Sequence, residues 1–542
     1  MFVSTARFSK KLTALSLCML MAGGMVACSG SDSQSAPATA TPKAAATSTA
    51  LAATAATPTA KNVIFFLGDG MGITTLTASR IYSVGEDGEL TIDTLPETAF
   101  VRTFSEDAQV TDSAPSMAAY MTGVKMKNEV LSMQSGTIAV APKSDGTSNC
   151  DNDPANQGKK GVTTLLELAK LQGMGTGVVT TTRITHATPA ATYAHVCHRD
   201  AENDIAAQLV PNGTGAGYGA YNRKLRDGVD VVLGGGLRQF KPTTAGGRRA
   251  DGRDLVAEMQ AQGYNFVGNG TDLNNVNAAQ TGKLLGLFAS SHMNYDLDRV
   301  NKGLNEPSLA EMTGKAIDVL KAKNKSFFLM VEGGRIDHAL HDTNAKRALQ
   351  DTVAFDNAIK LAIEKMKSGD ASLRNTLIVV TADHDHTMIL NGYAKRTGKY
   401  VAGGETSVLG LVKSYNAPGF AKDVNGNPFP IIGFGNGKKR LDNDRVEARG
   451  VLADNDTCNP AMGPVGNYTD SRGTNIDATG WCTGTASDDF QQEAVVQTGF
   501  ADSETHGGTD VFLGAVGAGS DNFHGNLENI EVFRLVRKAI GL

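Results

Sequence analysis

Asp337 and His341 stand four residues apart in Asp337-His338-Ala339-Leu340-His341, a spacing that puts both side chains on one face of a helix, where they can hold one metal ion. His506, in Glu504-Thr505-His506-Gly507-Gly508, offers a third ligand. Asp383 and His384 are adjacent and follow an apolar run, so at a strand end both can reach a second ion, with Asp69 alongside. These are nitrogen and oxygen donors of the kind zinc takes. Glu332, Thr188 and Asp69 offer oxygen alone, which suits a harder ion such as magnesium. Each element alone has a plainer explanation: an Asp after a strand caps a turn or helix, and a lone DxxxH is a solvated helix face. Eight of the ten His residues nevertheless fall within these few segments, a clustering that capping does not produce. Metal binding is the better reading.

A nucleophile candidate lies in Val110-Thr111-Asp112-Ser113-Ala114-Pro115-Ser116-Met117, ahead of an Ala/Met-rich helical run. Ser113 would sit at a helix N-terminus, where backbone N–H groups and the helix dipole favour a phosphate. On this segment alone an ordinary Ser N-cap explains the residue as well, and Pro115 suits either reading because the first turn needs no N–H donor.

The elements that must position these groups are also legible. Val63–Leu67 leads into Gly68-Asp69-Gly70, and Gly177–Thr180 into Thr185-His186-Ala187-Thr188. Phe327–Val331 leads into Glu332, and Leu377–Thr381 into Asp383-His384-Asp385-His386. Short continuous apolar runs suit strands buried on both faces of a largely parallel sheet, and ligands bind beyond the carboxyl ends of such strands. Four runs delivering ligand-type residues at the same end predict one shared site. Helical spacing over residues 164–171, 309–320 and 345–366 alternates with the strands, so the expected fold is α/β, a three-layer α/β/α sandwich around a large, mostly parallel sheet. From about 392 to 500 the chain turns rich in Gly, Asn, Asp and Pro, which reads as an insertion or small accessory domain.

The 542 residues are 41% hydrophobic and 20% charged, enough to bury a large core, and a formal net charge of −5 with no long Lys/Arg run leaves no nucleic-acid footprint. Arg7, Lys10 and Lys11 precede the apolar stretch Leu12–Val26, so residues 1–28 read as an export signal. Met25-Val26-Ala27-Cys28 resembles a bacterial lipoprotein signal, with Cys28 as the lipid anchor, although Met25 stands where such signals usually carry Leu. Residues 29–60, almost wholly Ser, Ala, Thr and Pro, suit a flexible tether. The expected location is therefore periplasmic, or attached to the outer membrane of a bacterium. Four cysteines remain, permitting three pairings; proximity favours Cys458 with Cys482, leaving Cys150 with Cys197.

In order along the chain, Asn62–Gly72 (NVIFFLGDGMG), Thr111–Lys125 (TDSAPSMAAYMTGVK), His186–Arg199 (HATPAATYAHVCHR), Val331–His341 (VEGGRIDHALH), Thr381–His384 (TADH) and Glu504–Gly507 (ETHG) resemble alkaline phosphatases. The resemblance implies a catalytic domain over 61–542 with a crown-like insertion, a homodimer, and hydrolysis of phosphate monoesters at alkaline pH through a phosphoserine on Ser113. It implies two zinc ions and one magnesium: Asp337, His341 and His506 for the first zinc, Asp69, Asp383, His384 and Ser113 for the second, and Asp69, Thr188 and Glu332 for magnesium. Arg199 matches the phosphate-clamping arginine. His186 and His338 follow the pattern of animal members, where many bacterial ones have Asp and Lys, and stand as second-shell or third-site residues. His195, His198, Asp385 and His386 read as orienting or packing residues. A phosphodiesterase or sulfatase, and a non-catalytic zinc- or phosphate-binding protein, are the rival readings.

Overall fold

Val63 to Leu67 have no solvent exposure, as a strand covered on both faces requires. In the computed structural model, which describes residues 60–401, 407–423, 429–437, 468–469, 475–476, 488–489, 491–497 and 503–542, that run is the centre of a ten-stranded sheet. The strands in chain order are β1 (Asn62–Gly68), β2 (Glu97–Arg102), β3 (Gly175–Arg183), β4 (Val231–Gly235), β5 (Tyr264–Val267), β6 (Lys283–Leu287), β7 (Phe327–Gly333) and β8 (Thr376–Ala382). They continue with β9 (Asp385–His386), β10 (Met388–Leu390), β11 (Ile432–Gly437), β12 (Tyr468–Thr469), β13 (Asn475–Ile476), β14 (Ala494–Gln497), β15 (His506–Gly507), β16 (Val511–Gly517) and β17 (Gly525–Glu528).

The large sheet runs β17-β2-β16-β8-β1-β7-β3-β4-β6-β5, and β16 alone is antiparallel to its neighbours. The four strands that carry the motifs are four adjacent strands, β8-β1-β7-β3. Their register is level, with Leu67 opposite both Glu332 and Thr381, and Thr180 opposite Glu332. Asp69, Glu332, Asp383 and the residues after β3 therefore emerge at one rim. Because β16 runs backwards, with Leu513 opposite Thr381, its preceding segment begins at that same rim, and β15 pairs His506 with His386.

Helices flank the sheet, giving the expected α/β architecture. Leu165–Leu171, Leu309–Ala322 and Ala345–Lys367 correspond to the three periodic stretches. The first two open with capping boxes, Thr164 with Glu167 and Ser308 with Glu311, so the starts follow from short-range chemistry. Leu309–Ala322 packs on Ala345–Lys367 and on β3 and β7, burying its apolar stripe. The described part of residues 392–497 holds strands, bridges and turns and no helix; β10, β11 and β14 form a separate three-stranded sheet there. Cys150 and Cys197 form a disulfide. The export signal, Cys28, residues 29–59 and the Cys458–Cys482 pair lie outside the described residues. No helix among the described residues is long and apolar enough to cross a membrane.

Candidate active site

Ser113 opens the helix Ser113–Thr122, but it does not cap it. Asp112 is the N-cap, accepting the Ala114 N–H at 2.8 Å, and this leaves the Ser113 hydroxyl free to turn into the rim. Its Oγ lies 3.2 Å from His384 Nε2 and 3.4 Å from Asp69 Oδ1. His384 Nε2 is in turn 3.3 Å from Asp69 Oδ1 and 3.6 Å from Asp383 Oδ2. Four atoms around one tetrahedral zinc, with bonds near 2.0–2.1 Å, stand about 3.3 Å apart. The Ser113, Asp69, Asp383 and His384 set has that spacing.

The Asp337, His341 and His506 set has it too. His341 Nε2 is 3.2 Å from Asp337 Oδ1 and 3.1 Å from His506 Nε2, and His506 Nε2 is 3.5 Å from Asp337 Oδ1. Asp337 and His341 share one face of the short helix Arg335–His341, as their spacing predicts. The His384 and His506 rings stack with centroids 3.5 Å apart, so the two sets share a wall. In His341, His384 and His506 the Nδ1 faces a backbone carbonyl, of Glu504 at 2.6 Å, Asp385 at 3.2 Å and Thr111 at 2.8 Å. Donation from Nδ1 leaves the Nε2 lone pair directed at the cluster, the tautomer a metal needs.

The third set gathers around the other oxygen of Asp69. Thr188 Oγ1 is 3.3 Å from Asp69 Oδ2, and Asp69, His186 and Glu332 place ligand atoms within 4.8 Å of one another. Glu332 Oε1, His186 Nδ1 and Asp383 Oδ2 are buried with no hydrogen-bond partner. Orphaned acceptors of this kind, beside three carboxylates with no solvent exposure, are what a cation would satisfy, so the residues present suit metal ions. The titration behaviour agrees. Burial and then Asp69 push Glu332 well above the carboxylate range, and the same two causes push Asp383 up to about 8. Against burial, Asp383 and Asp69 raise His384 to about 9, while burial and the charge on His384 hold His506 down to about 4.

A carboxyl whose folded pKa is raised costs stability above that pKa and costs nothing once pH falls below its unfolded value. Glu332→Gln should therefore raise the melting temperature of the metal-free protein at pH 8, on the order of 1–2 °C for each kcal/mol relieved in a chain of this size. The gain should shrink toward pH 4. Calorimetry of chelated samples across that range checks it, and a destabilised metal-free variant at pH 8 would contradict it.

Arg199 sits beside the nucleophile. Its Nη1 donates to Asp112 Oδ1 at 2.9 Å and its Nη2 is 3.2 Å from His186 Nε2. Asp112 thus fixes both the helix that starts with Ser113 and the arginine. His338 joins His186, with ring centroids 5.3 Å apart. Of the four residues read as orienting or packing groups, His386 lies within the donor clusters: its Nε2 is 2.9 Å from Asp337 Oδ1 and its Nδ1 faces Glu504. The backbone at Gly70 runs so close that a Cβ there would sit 2.5 Å from the His386 ring, at a φ of +66°. Asp385 accepts from Thr509 Oγ1, His198 is half-buried near Asp200, and His195 pairs with Glu167 at 2.6 Å.

Several residues of this constellation escaped the sequence reading. Thr180 and Thr182 donate to Glu332 Oε2, which aims the free Oε1 at the third set. Glu504 braces His386 and Thr387; it was in view within ETHG, but nothing local marked its role. His292 packs against His338 with centroids 4.2 Å apart and His186 at 5.3 Å, and only its place after a strand hinted at the rim.

A level rim of strand ends, three donor sets and a free serine at a helix N-terminus define an α/β hydrolase built around metal sites. The family model for alkaline phosphatase matches residues 60–542, and the chain belongs to that family of phosphoric monoester hydrolases. It is 35% identical over 506 residues to a membrane-bound alkaline phosphatase of Bombyx mori, covering 87% of this chain and 78% of that one. It is 38% identical over 405 residues to the human tissue-nonspecific isozyme, covering 70% and 71%. Among solved structures, Thermus thermophilus alkaline phosphatase aligns with a TM-score of 0.59 and 25% identity, over 90% of this chain and 93% of that one. The enzyme of the Antarctic bacterium TAB5 aligns at 0.54 and 23%, over 90% and 99%, a likeness of fold.

Proposed function

We propose that this enzyme hydrolyses phosphate monoesters at alkaline pH through a covalent phosphoserine on Ser113. In this reading zinc is held by Asp337, His341 and His506 and by Asp69, Asp383, His384 and Ser113, and magnesium by Asp69, Thr188 and Glu332. The observation that carries it is the Ser113 hydroxyl, released from capping by Asp112 and placed 3.2 Å from His384 Nε2 with Arg199 tied to the adjacent residue.

When bound, the cations supply neutralising charge and Lewis acidity at the nucleophile and the leaving oxygen. The chain does the rest. Arg199, oriented through Asp112, offers its remaining guanidinium N–H groups to two phosphoryl oxygens, and the N–H groups of the helix opening at Ser113 face the same anion. Ser113 Oγ loses its proton and attacks phosphorus; the new O–P bond forms as the ester P–O bond breaks, and the departing alkoxide takes a proton from solvent. Water then attacks the phosphoserine from the vacated side, and Ser113 leaves with orthophosphate released. His186 sits against the guanidinium and holds its other edge.

Charged hydrogen bonds of this kind are worth about 1.5–3 kcal/mol each. Arg199→Ala should thus lower kcat/KM for p-nitrophenyl phosphate about 10- to 100-fold, mainly through KM. An unchanged KM would remove the clamp. Rates on mono- and bis-nitrophenyl phosphates test the substrate class; a faster diester would replace the monoester reading. The proposal also takes the chain as exported, anchored through Cys28 and homodimeric, with residues 392–500 as an insertion, and a monomer mass by light scattering would overturn the dimer.

A further inference from the structure

A second cleft, of about 480 Å³, opens between the turn at Cys150–Asn152, the segment Lys159–Gly161, His195 and the loop Gly217–Lys224. No member of the three donor sets lines it. Its floor is rigid and already satisfied. His195 Nε2 is 2.6 Å from Glu167 Oε1 and its Nδ1 is 2.8 Å from the Ser132 carbonyl, while Gln208 accepts the His195 N–H at 2.9 Å and Asn222 Nδ2 donates to Glu167 Oε1 at 2.6 Å. Glu167 itself has no exposure.

The rim is different in character. Lys159, Arg223 and Lys224 face the opening against one carboxylate, Asp151. Lys224 Nζ is 3.6 Å from the sealed Glu167 and Lys159 Nζ donates to the Ser135 carbonyl at 2.6 Å; among the described residues the Arg223 guanidinium has neither ion pair nor hydrogen bond. The rings of Tyr218 and Tyr221 complete the lining, and neither stacks on another aromatic ring among the described residues. A volume in the small-ligand range, flat aromatic faces and a surplus of cations including an unspent guanidinium fork suit a planar organic anion.

The cleft is joined covalently to the catalytic arginine. Asp151 follows Cys150, whose disulfide partner Cys197 lies two residues after His195 and two before Arg199. We propose that this cleft is an effector site for planar organic anions, such as aromatic carboxylates, sulfonates or phosphonates, whose occupancy changes substrate binding at Arg199.

The test uses the full metal-loaded enzyme and naphthalene-1,5-disulfonate, a planar dianion with no ester to hydrolyse. Isothermal titration is run with inorganic phosphate saturating the catalytic site, on wild type and on the surface variants Arg223→Glu and Lys159→Glu. One saturable site per chain is expected, weakened at least about tenfold in each variant. With the probe present, KM for p-nitrophenyl phosphate should change at least about twofold in wild type and not in the variants, whose kcat and KM without probe stay at the wild-type values. No saturable binding, equal binding in the variants, binding without a change in KM, or a KM effect that persists in the variants would each overturn the proposal.

Discussion

Ser113→Ala, incubated with labelled phosphate ester at acid pH and then denatured, will carry no covalent phosphate, and its kcat at alkaline pH will fall by about 10³- to 10⁶-fold, the range seen when a nucleophile is removed from a preassembled hydrolase site. The effect should be confined to chemistry. Ser113 is a single donor in the second set, and Asp69, Asp383 and His384 remain with Nε2 and carboxylate oxygens 3.3–3.6 Å apart, so zinc content should stay near the wild-type value. Label on the variant would move the nucleophile elsewhere. Loss of zinc together with activity would instead make Ser113 chiefly a ligand.

Asp69→Ala should be as severe for a different reason. One carboxylate oxygen of Asp69 faces Ser113 and His384 while the other faces Thr188, so a single side chain joins the second and third sets. Loss of a residue that merely orients a ligand costs 10- to 100-fold in metal affinity. Loss of a bridging ligand should exceed about 100-fold at both sets. Elemental analysis of dialysed protein should show the Asp337, His341 and His506 set still filled, one zinc and the magnesium gone, and activity at least about 10³-fold down. Full zinc and magnesium content in this variant would contradict the shared role of Asp69.

Much of this arrangement could be read from residue order because it is local. The apolar runs at Val63–Leu67, Phe327–Val331 and Leu377–Thr381 declare buried strands by composition, and the DxxxH at Asp337 and His341 declares its helical face by spacing. The fate of Ser113 was not local. As a helix N-cap or as a nucleophile it has the same neighbours in sequence, and the ambiguity is resolved by Asp112 taking the Ala114 N–H. Glu504, Thr180, Thr182 and His292 escaped because their roles depend on strand register and on β16 running backwards, long-range facts to which no short window is sensitive. His386 shows the same limit in a milder form: its neighbours Asp383 and His384 mark it as close to the site, yet only the pairing of β9 with β15 sets it between Asp337 and Glu504.

The central claim is that the three donor sets hold the cations on which phosphomonoester hydrolysis depends. The most direct measurement is hydrolysis of p-nitrophenyl phosphate at alkaline pH by the chain lacking residues 1–28, first as purified, then after chelation and dialysis, then after zinc and magnesium are returned. The account predicts loss of activity on chelation in a protein that stays folded by circular dichroism, and recovery when both metals are restored. Full activity in a sample shown by elemental analysis to be free of metal would contradict it.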